Sequence, residues 1–196
     1  MVGQFLDYAR PYQGDSEPTS VNDVISQTVR LFTHDKLSPD LMIIQDLTHD
    51  LPPVRVDAEQ LKQVLFNLMR NAVEAMEDGG EITLKTSIDH APLHHRRNND
   101  GSARAIENEN VVIHVTDTGT GIPPEQLNRI FLPFFTTKTR GTGLGLAICQ
   151  RMIESSGGRL EVSSELGVGT TFTLHFKVTS DPVETSGDQQ TTSEVA

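Results

Sequence analysis

One cysteine in 196 residues, Cys149, leaves no partner for an intrachain disulfide and too few thiolates for a metal cluster. It falls inside a segment of helical periodicity and reads as a small core side chain. No apolar run approaches the roughly 20 residues that span a bilayer. The N-terminus also lacks the basic-then-apolar layout of a signal peptide, so a soluble, cytoplasmic chain without direct membrane contact is expected. Basic residues are scarce: 16 Lys and Arg stand against 27 Asp and Glu, for a net charge of −11. That balance argues against a nucleic-acid surface, which needs clustered cations, and requires any site for a smaller polyanion to be locally positive. A hydrophobic fraction of 36% suffices for a core, and the length predicts one domain with loose ends.

Residues 1–10, with Phe5, Leu6 and Tyr8, read as the last turns of a helix stopped by Pro11, and a start in mid-helix suggests a piece of a longer chain. Residues 11–18 form a polar connector. Ser20 with Asp23 three residues on marks a helix start before Val21, Val24, Ile25, Val29 and Phe32. Residues 41–47 are strand-like, and Pro52-Pro53 precedes the short segment 54–56. Asp57 with Gln60 forms a second capping box, followed by Leu61, Val64, Leu65, Leu68, Ala72 and Met76 at helical spacing. On that helix Asn67 and Asn71 lie one turn apart along one edge of the apolar stripe, an unusual place for two solubilising amides. Asp78-Gly79-Gly80 ends the helix and residues 81–88 alternate as a strand, with Ile82, Leu84, Ser87 and Ile88 toward the core. Residues 89–110 are long and polar and read as an inserted loop; no cage of acids or thiols surrounds His90, His94 and His95, so a metal site is not expected there. A strand over 111–116 leads into Asp117, a short helix starts at Pro123-Pro124, a lid covers 132–143, and a helix runs over 144–155. Strands over 159–164 and 169–178 complete the domain. The residues beyond Thr179 hold four acids and no Lys or Arg, and read as a disordered tail.

Between Asp117 and Leu146 the chemistry concentrates. Asp117-Thr118-Gly119-Thr120-Gly121 sets an acid and two glycines at a strand end. Phe131 to Lys138 adds an aromatic cluster and, with Arg140, a basic pair. Gly141-Thr142-Gly143-Leu144-Gly145-Leu146 then opens a helix, whose free amides could receive phosphate where glycine lets backbone approach a polyanion. One glycine box alone is weak evidence. An asparagine helix, an acid turn, a Phe segment and a second glycine box in this order form a nucleotide site.

With those motifs in place, residues 20–178 resemble the ATP-binding catalytic domain of two-component sensor histidine kinases. The Phe134-Phe135-Thr136-Thr137-Lys138 lid and Asn71-Ala72-Val73-Glu74-Ala75-Met76 look most like the nitrogen-regulation branch. The resemblance implies a two-layer α/β sandwich, the Bergerat fold, in which helices cover one face of a mixed sheet. It sets the domain at 19–178 and makes 1–18 the end of a dimerisation and phosphoacceptor helix with its linker. Carried over, Asn71 would ligate Mg²⁺, with Asn67 supporting metal or phosphate, and Asp117 would accept from the adenine amino group. Gly119 and Gly121 would pass the base, while Gly141, Thr142, Gly143, Leu144, Gly145 and Leu146 would line the phosphates of ATP. Lys138, with Asn67 the expected catalytic pair, and Arg140 would neutralise phosphate charge as the lid closes on Phe134 and Phe135.

The family's phosphoacceptor is absent from this sequence. None of His34, His49, His90, His94, His95, His114 or His175 stands in a His-Glu-x-x-Asn-Pro context. Transfer would therefore go to a histidine on a dimerisation domain, within a homodimer that the resemblance implies, and next to a response-regulator receiver domain. Two other readings share the fold. A gyrase-like or chaperone-like ATP hydrolase uses a Glu where Asn67 stands, and an amide cannot act as general base. A non-catalytic nucleotide-binding module would regulate a partner through lid order.

Overall fold

The computed structural model describes residues 16–34, 40–97, 103–138 and 141–179, with only the backbone described for 90–97 and 103–108. In chain order the elements are β1 (Glu17–Thr19), α1 (Val21–His34), β2 (Leu41–Asp46), β3 (Val54–Val56), α2 (Ala58–Glu74) and β4 (Gly80–Arg97). Then follow β5 (Ala103–Asp117), α3 (Pro124–Leu127), α4 (Gly145–Ser155), β6 (Arg159–Glu165) and β7 (Gly169–Lys177). Five strands form one sheet in the order β2-β4-β5-β7-β6. Only β2 runs parallel to its neighbour, β4, so the sheet is mixed; the other pairs are antiparallel.

Helices cover one face because the strands are sorted by polarity. Ile82 and Leu84 of β4, Ile113 and Val115 of β5, and Phe172, Leu174 and Phe176 of β7 all point into the core at 5% exposure or less. They meet Ile25 of α1, Leu61, Leu65, Leu68 and Met69 of α2, and Ile153 of α4. Burying each such side chain contributes about 1.5–3 kcal/mol. The alternate positions Lys85, His114, Thr116, Thr171 and Thr173 face away from the helices and bond across strands: Thr116 and Thr171 hydroxyls lie 3.0 Å apart, His114 Nδ1 lies 3.2 Å from Thr173 Oγ1, and Lys85 Nζ donates to Asp46 Oδ2 of β2 at 2.6 Å. The expected two-layer α/β arrangement is what forms.

Both long helices begin where the capping chemistry puts them. The Asp57 carboxylate accepts from the Glu59 and Gln60 amides at 2.8 and 3.1 Å, a cap that stabilises the start of α2 by about 1 kcal/mol. At Ser20 the hydroxyl accepts from the Asp23 amide at 3.4 Å.

Three expectations are corrected. Part of the connector read over 11–18 is strand: Glu17–Thr19 pairs antiparallel with β3, and Thr19 Oγ1 donates to the Val56 carbonyl at 2.7 Å. The inserted loop read over 89–110 is largely a ladder, since β4 and β5 stay paired from Asp89↔Asn110 out to Arg97↔Ala103, with a register shift between Ala91 and His94. On β4 the third core-facing position is Thr86, 1% exposed, rather than Ser87, because a strict period of two carries Ile82 and Leu84 to residue 86. The helix end read over 1–10 and the tail beyond 179 lie outside the described residues.

Candidate functional site

Strand β5 carries Asp117 to the edge of the helical layer. The residue is 6% exposed, and its Oδ1 accepts from the Gly119 amide at 2.9 Å. Burial pushes the carboxyl above its ordinary range, while the backbone amides of Gly119 and Thr170 partly offset that rise. A carboxylate offers about four lone-pair directions, so two amides leave it able to accept from an incoming amino group. Behind it the turn is clamped on both sides. Thr120 N donates to the Ala75 carbonyl at 3.1 Å, at the end of α2, and Gly167 N donates to the Thr120 carbonyl at 2.8 Å from the β6–β7 turn. A Cβ on Gly119 would sit 2.8 Å from Ala75, and one on Gly121 would sit 2.2 Å from the Glu165 carbonyl oxygen.

The Phe-rich segment is fastened from two directions. Phe135 packs against the core, and the Arg129 guanidinium lies 4.7 Å over its ring. Phe134, expected to share that anchoring, is 61% exposed; its backbone does the fastening instead, donating to the Gly143 carbonyl at 2.9 Å with φ +67. Gly143 itself has φ +67, and a Cβ there would meet the Phe134 carbonyl carbon at 2.4 Å. This crossing of two backbones admits only glycine. Between the two strands of the crossing, Lys138 N donates to Thr136 Oγ1 at 3.1 Å and Gly141 N donates to the Lys138 carbonyl at 3.2 Å.

From there Lys138 reaches back to α2. Its Nζ donates to Asn71 Oδ1 at 3.0 Å and to the Glu74 carboxylate. Arg70 Nε donates to the other Glu74 oxygen at 3.1 Å. Burial raises the Glu74 carboxyl, but Lys138 and then Arg70 outweigh it, so the net shift is downward. Asn67, one turn before Asn71, faces α4: its Nδ2 donates to Cys149 Sγ at 3.0 Å, and a Cβ on Gly145 would lie 2.9 Å from that nitrogen. Burial pushes the Cys149 thiol up to about 11, against the Asn67 hydrogen bond, so it stays a neutral core group.

Helix α4 starts at Gly145 with Leu144 as its cap residue, and no side chain caps its first amides. Such a terminus carries unmet N–H groups and partial positive charge. A groove between α2 and α4, lined by Phe66, Asn67, Arg70, Gly145 and Met152, opens beside it. Of the predicted residues, Asn67 and Gly145 line this groove, Asn71 and Lys138 meet one turn further along α2, and the Asp117–Gly121 turn packs against Ala75 at the end of that helix. Leu144 is buried at 4% and contributes backbone alone, Thr142 and Leu146 are half-buried, and Arg140 lies outside the described residues. Glu74 was absent from the predicted site. Its signal was weak: an acid three residues after Asn71, with its lid partner 64 residues away.

The donor set suits Mg²⁺ delivered with phosphate. Among the described residues no group of three or more His, Cys, Asp or Glu could hold a metal. Mg²⁺ keeps several waters and phosphate oxygens and needs few protein ligands, and the Asn71 amide oxygen already accepts from one cation, Lys138.

These features are the signature of one group of proteins. Residues 56–180 match the histidine kinase-, DNA gyrase B- and HSP90-like ATPase family, and the chain belongs to it. Within that family its relatives are sensor kinases, and the chain carries their ATP-binding catalytic domain. Sensor histidine kinase ZraS of Escherichia coli strain K12 is 34% identical over 178 residues, covering 91% of this chain and 34% of the relative. Sensor kinase CckA of Brucella abortus is 39% identical over 180 residues, covering 89% of this chain and 18% of the relative. The chain thus spans a minor part of the curated relatives it matches. Among solved structures, full-length ShkA in complex with AMPPNP superposes with a TM-score of 0.71 at 28% identity, covering 92% of this chain and 36% of that one. The nucleotide-free catalytic domain of histidine kinase ThkA gives a TM-score of 0.65 at 29% identity, covering 83% of this chain and 95% of that one. No helix among the described residues is long and apolar enough to cross a membrane.

Proposed function

We propose that this chain binds Mg-ATP and presents the γ-phosphate to a histidine on a dimerisation domain outside it, from which the phosphate passes to the receiver domain of a response regulator. The observation that carries the reading is the meeting of Asn71 Oδ1 and Lys138 Nζ at 3.0 Å, across 67 residues of sequence, beside the uncapped start of α4. A metal-binding amide, a cation and free backbone amides are what a triphosphate needs at its far end. Asp117 accepts from the adenine amino group, Asn71 ligates the metal, and Asn67 and Lys138 support the phosphates. The Gly141–Leu146 backbone and Arg140 complete the cradle. Asn71 would hold the Mg²⁺ that comes with the nucleotide, and the ion would supply charge neutralisation at the phosphates. The protein's share is positioning and electrostatic stabilisation of an in-line transfer, with little covalent chemistry of its own.

Hydrolysis is the weaker reading because no side chain described at the site is suited to act as a base for water. Asn67 is an amide that donates to Cys149 Sγ, and Glu74 is held ionised by Lys138 and Arg70 with its proton affinity lowered. Use of ATP, a cytoplasmic nucleotide, fits a cytoplasmic position for this domain. The parent kinase functions as a homodimer through the domain that bears the histidine.

Two measurements test this. Calorimetric titration with AMPPNP, with and without Mg²⁺ and with GTP as control, should show adenine-preferring, Mg-dependent binding that Asn71→Ala abolishes. Incubation with γ-labelled ATP and a separately supplied dimerisation domain should label a histidine. Binding without transfer to any cognate dimerisation domain would leave a regulatory module, and unchanged binding in Asn71→Ala would sink the metal assignment.

A further inference from the structure

Glu74 stands where a carboxylate is unfavourable, one turn past Asn71 on the edge of a site for a polyanion. Two cations hold it there. Lys138 Nζ donates both to Glu74 Oε2 and, at 3.0 Å, to Asn71 Oδ1, while Arg70 Nε donates to Glu74 Oε1 at 3.1 Å. The lid is thereby tied to α2 through one lysine, whose side chain is 45% exposed against 38% for Glu74. Arg70 fixes the acid by an i,i+4 pair on the same helix, so the carboxylate keeps its place when the lysine leaves.

We infer that Glu74 is a specificity-determining latch: it holds Lys138 in the nucleotide-free chain and yields it to a terminal phosphate alone, so that it lowers affinity for a nucleoside triphosphate, leaves the diphosphate unpenalised and narrows the difference between the two. The inference rests on the reading that Lys138 faces the γ-phosphate. Asn71 Oδ1 cannot serve a divalent metal at full strength while it accepts from an ammonium, so the metal-bound nucleotide displaces Lys138 from that oxygen. What the lysine does next depends on the phosphate chain. A γ-phosphate, with more charge than one carboxylate and three acceptor oxygens, draws it from Glu74 and the lid follows. A diphosphate offers no such partner, and Lys138 keeps its bond to Glu74. Glu74 thus opposes the binding of each nucleotide differently, and after transfer of the γ-phosphate the lysine returns to the acid.

The test is a calorimetric comparison of Mg-AMPPNP and Mg-ADP on the whole 196-residue chain, in wild type, Glu74→Gln, Lys138→Gln and the double variant. Both residues are partly exposed, and thermal unfolding checks that each variant folds. A partly exposed ion pair contributes about 0.2–1 kcal/mol, so Glu74→Gln should tighten AMPPNP by about two- to fivefold and leave ADP within about twofold. In the Lys138→Gln background the same change should leave the ratio of the two affinities unaltered, since the coupling runs through the lysine. Equal tightening of both nucleotides, tightening that survives Lys138→Gln, or weaker AMPPNP binding in Glu74→Gln overturns the latch. Adding Lys138→Gln to Glu74→Gln tests the underlying reading separately. If AMPPNP does not weaken there, Lys138 does not face phosphate at all; if it weakens while Glu74→Gln alone gains nothing, only the latch fails.

Discussion

Replacing Gly145 by alanine should separate ligand binding from folding. A Cβ at this position lies 2.9 Å from Asn67 Nδ2 and 3.0 Å from Oδ1, too close to stay, but the obstacle is the far end of one side chain. Rotating that amide relieves the contact and gives up its hydrogen bond to Cys149 Sγ, a loss of about 0.5–1.5 kcal/mol at most. Against this, alanine stabilises a helical position by about 0.5–1 kcal/mol relative to glycine. The net change in folding is therefore within about 1 kcal/mol, a shift of about 2–4 °C in Tm for a chain of this size. Binding has no such compensation. The methyl group and the displaced Asn67 amide both enter the corner where the α4 amides would meet phosphate. Losing one or more charge-assisted hydrogen bonds of about 1.5–3 kcal/mol corresponds to about 10- to 100-fold in affinity.

The assay pairs thermal unfolding with calorimetric titration of Mg-AMPPNP, and Gly143→Ala is the contrast. There φ is +67 and the Cβ would sit 2.4 Å from a backbone carbon of Phe134, so no side-chain rotation helps. The left-handed conformation alone costs about 1–2 kcal/mol, before the crossing is forced apart. Gly143→Ala should lower Tm and affinity together, whereas Gly145→Ala should lower affinity alone. The reasoning is refuted if Gly145→Ala keeps wild-type affinity, or if its stability falls as far as that of Gly143→Ala.

Two further predictions concern protonation. Burial raises the Asp117 carboxyl above 3.8, so its contribution to stability is fully present below that value and is lost as pH rises through the folded-state pKa. Denaturation from pH 3 upward should therefore show wild type losing ground to Asp117→Asn as pH rises, and AMPPNP titration should show the variant losing its preference over a guanine nucleotide. His114 shifts the other way: burial first, then the positive charges of His175 and Lys85, lower it from 6.5. Its charged form is disfavoured in the fold, so wild type should lose stability as pH falls from 6.5 through the lowered value, a slope that His114→Gln removes.

Where the chain sorts apolar from polar residues, its structure was legible in advance. The Leu61 to Met76 stripe and the Asp57 cap placed α2 and, with it, Asn67 and Asn71 on a common edge. The apolar run at Val111 to Val115 placed Asp117 at a strand end. The stretch from Asp89 to Asn110 is polar at most positions, so the ladder that its backbone forms left no alternation to read. At three residues, β1 is too short to show a period. The partner of Glu74 was not legible for a different reason. Its neighbours on α2 are visible in sequence, but the lysine that gives it a role lies 64 residues on, and only the fold brings the two together.

The glycines were read as room for phosphate, and most of them turn out to be room for protein. Gly121 gives way to the Glu165 carbonyl and Gly143 to Phe134, each where two backbone segments cross, while Gly145 abuts the amide end of the Asn67 side chain and Gly141 the Thr136 hydroxyl. The boxes are recognisable because the walls of the site cannot close without them. That also explains why order and spacing carried the family assignment better than any single box: Gly119, Gly121 and Gly145 meet partners far away in sequence, at Ala75, Glu165 and Asn67, so the boxes fit together only as a set. A substitution that spares the crossings but fills the corner beside Asn67 therefore reports on the ligand, and one at a crossing reports on the fold.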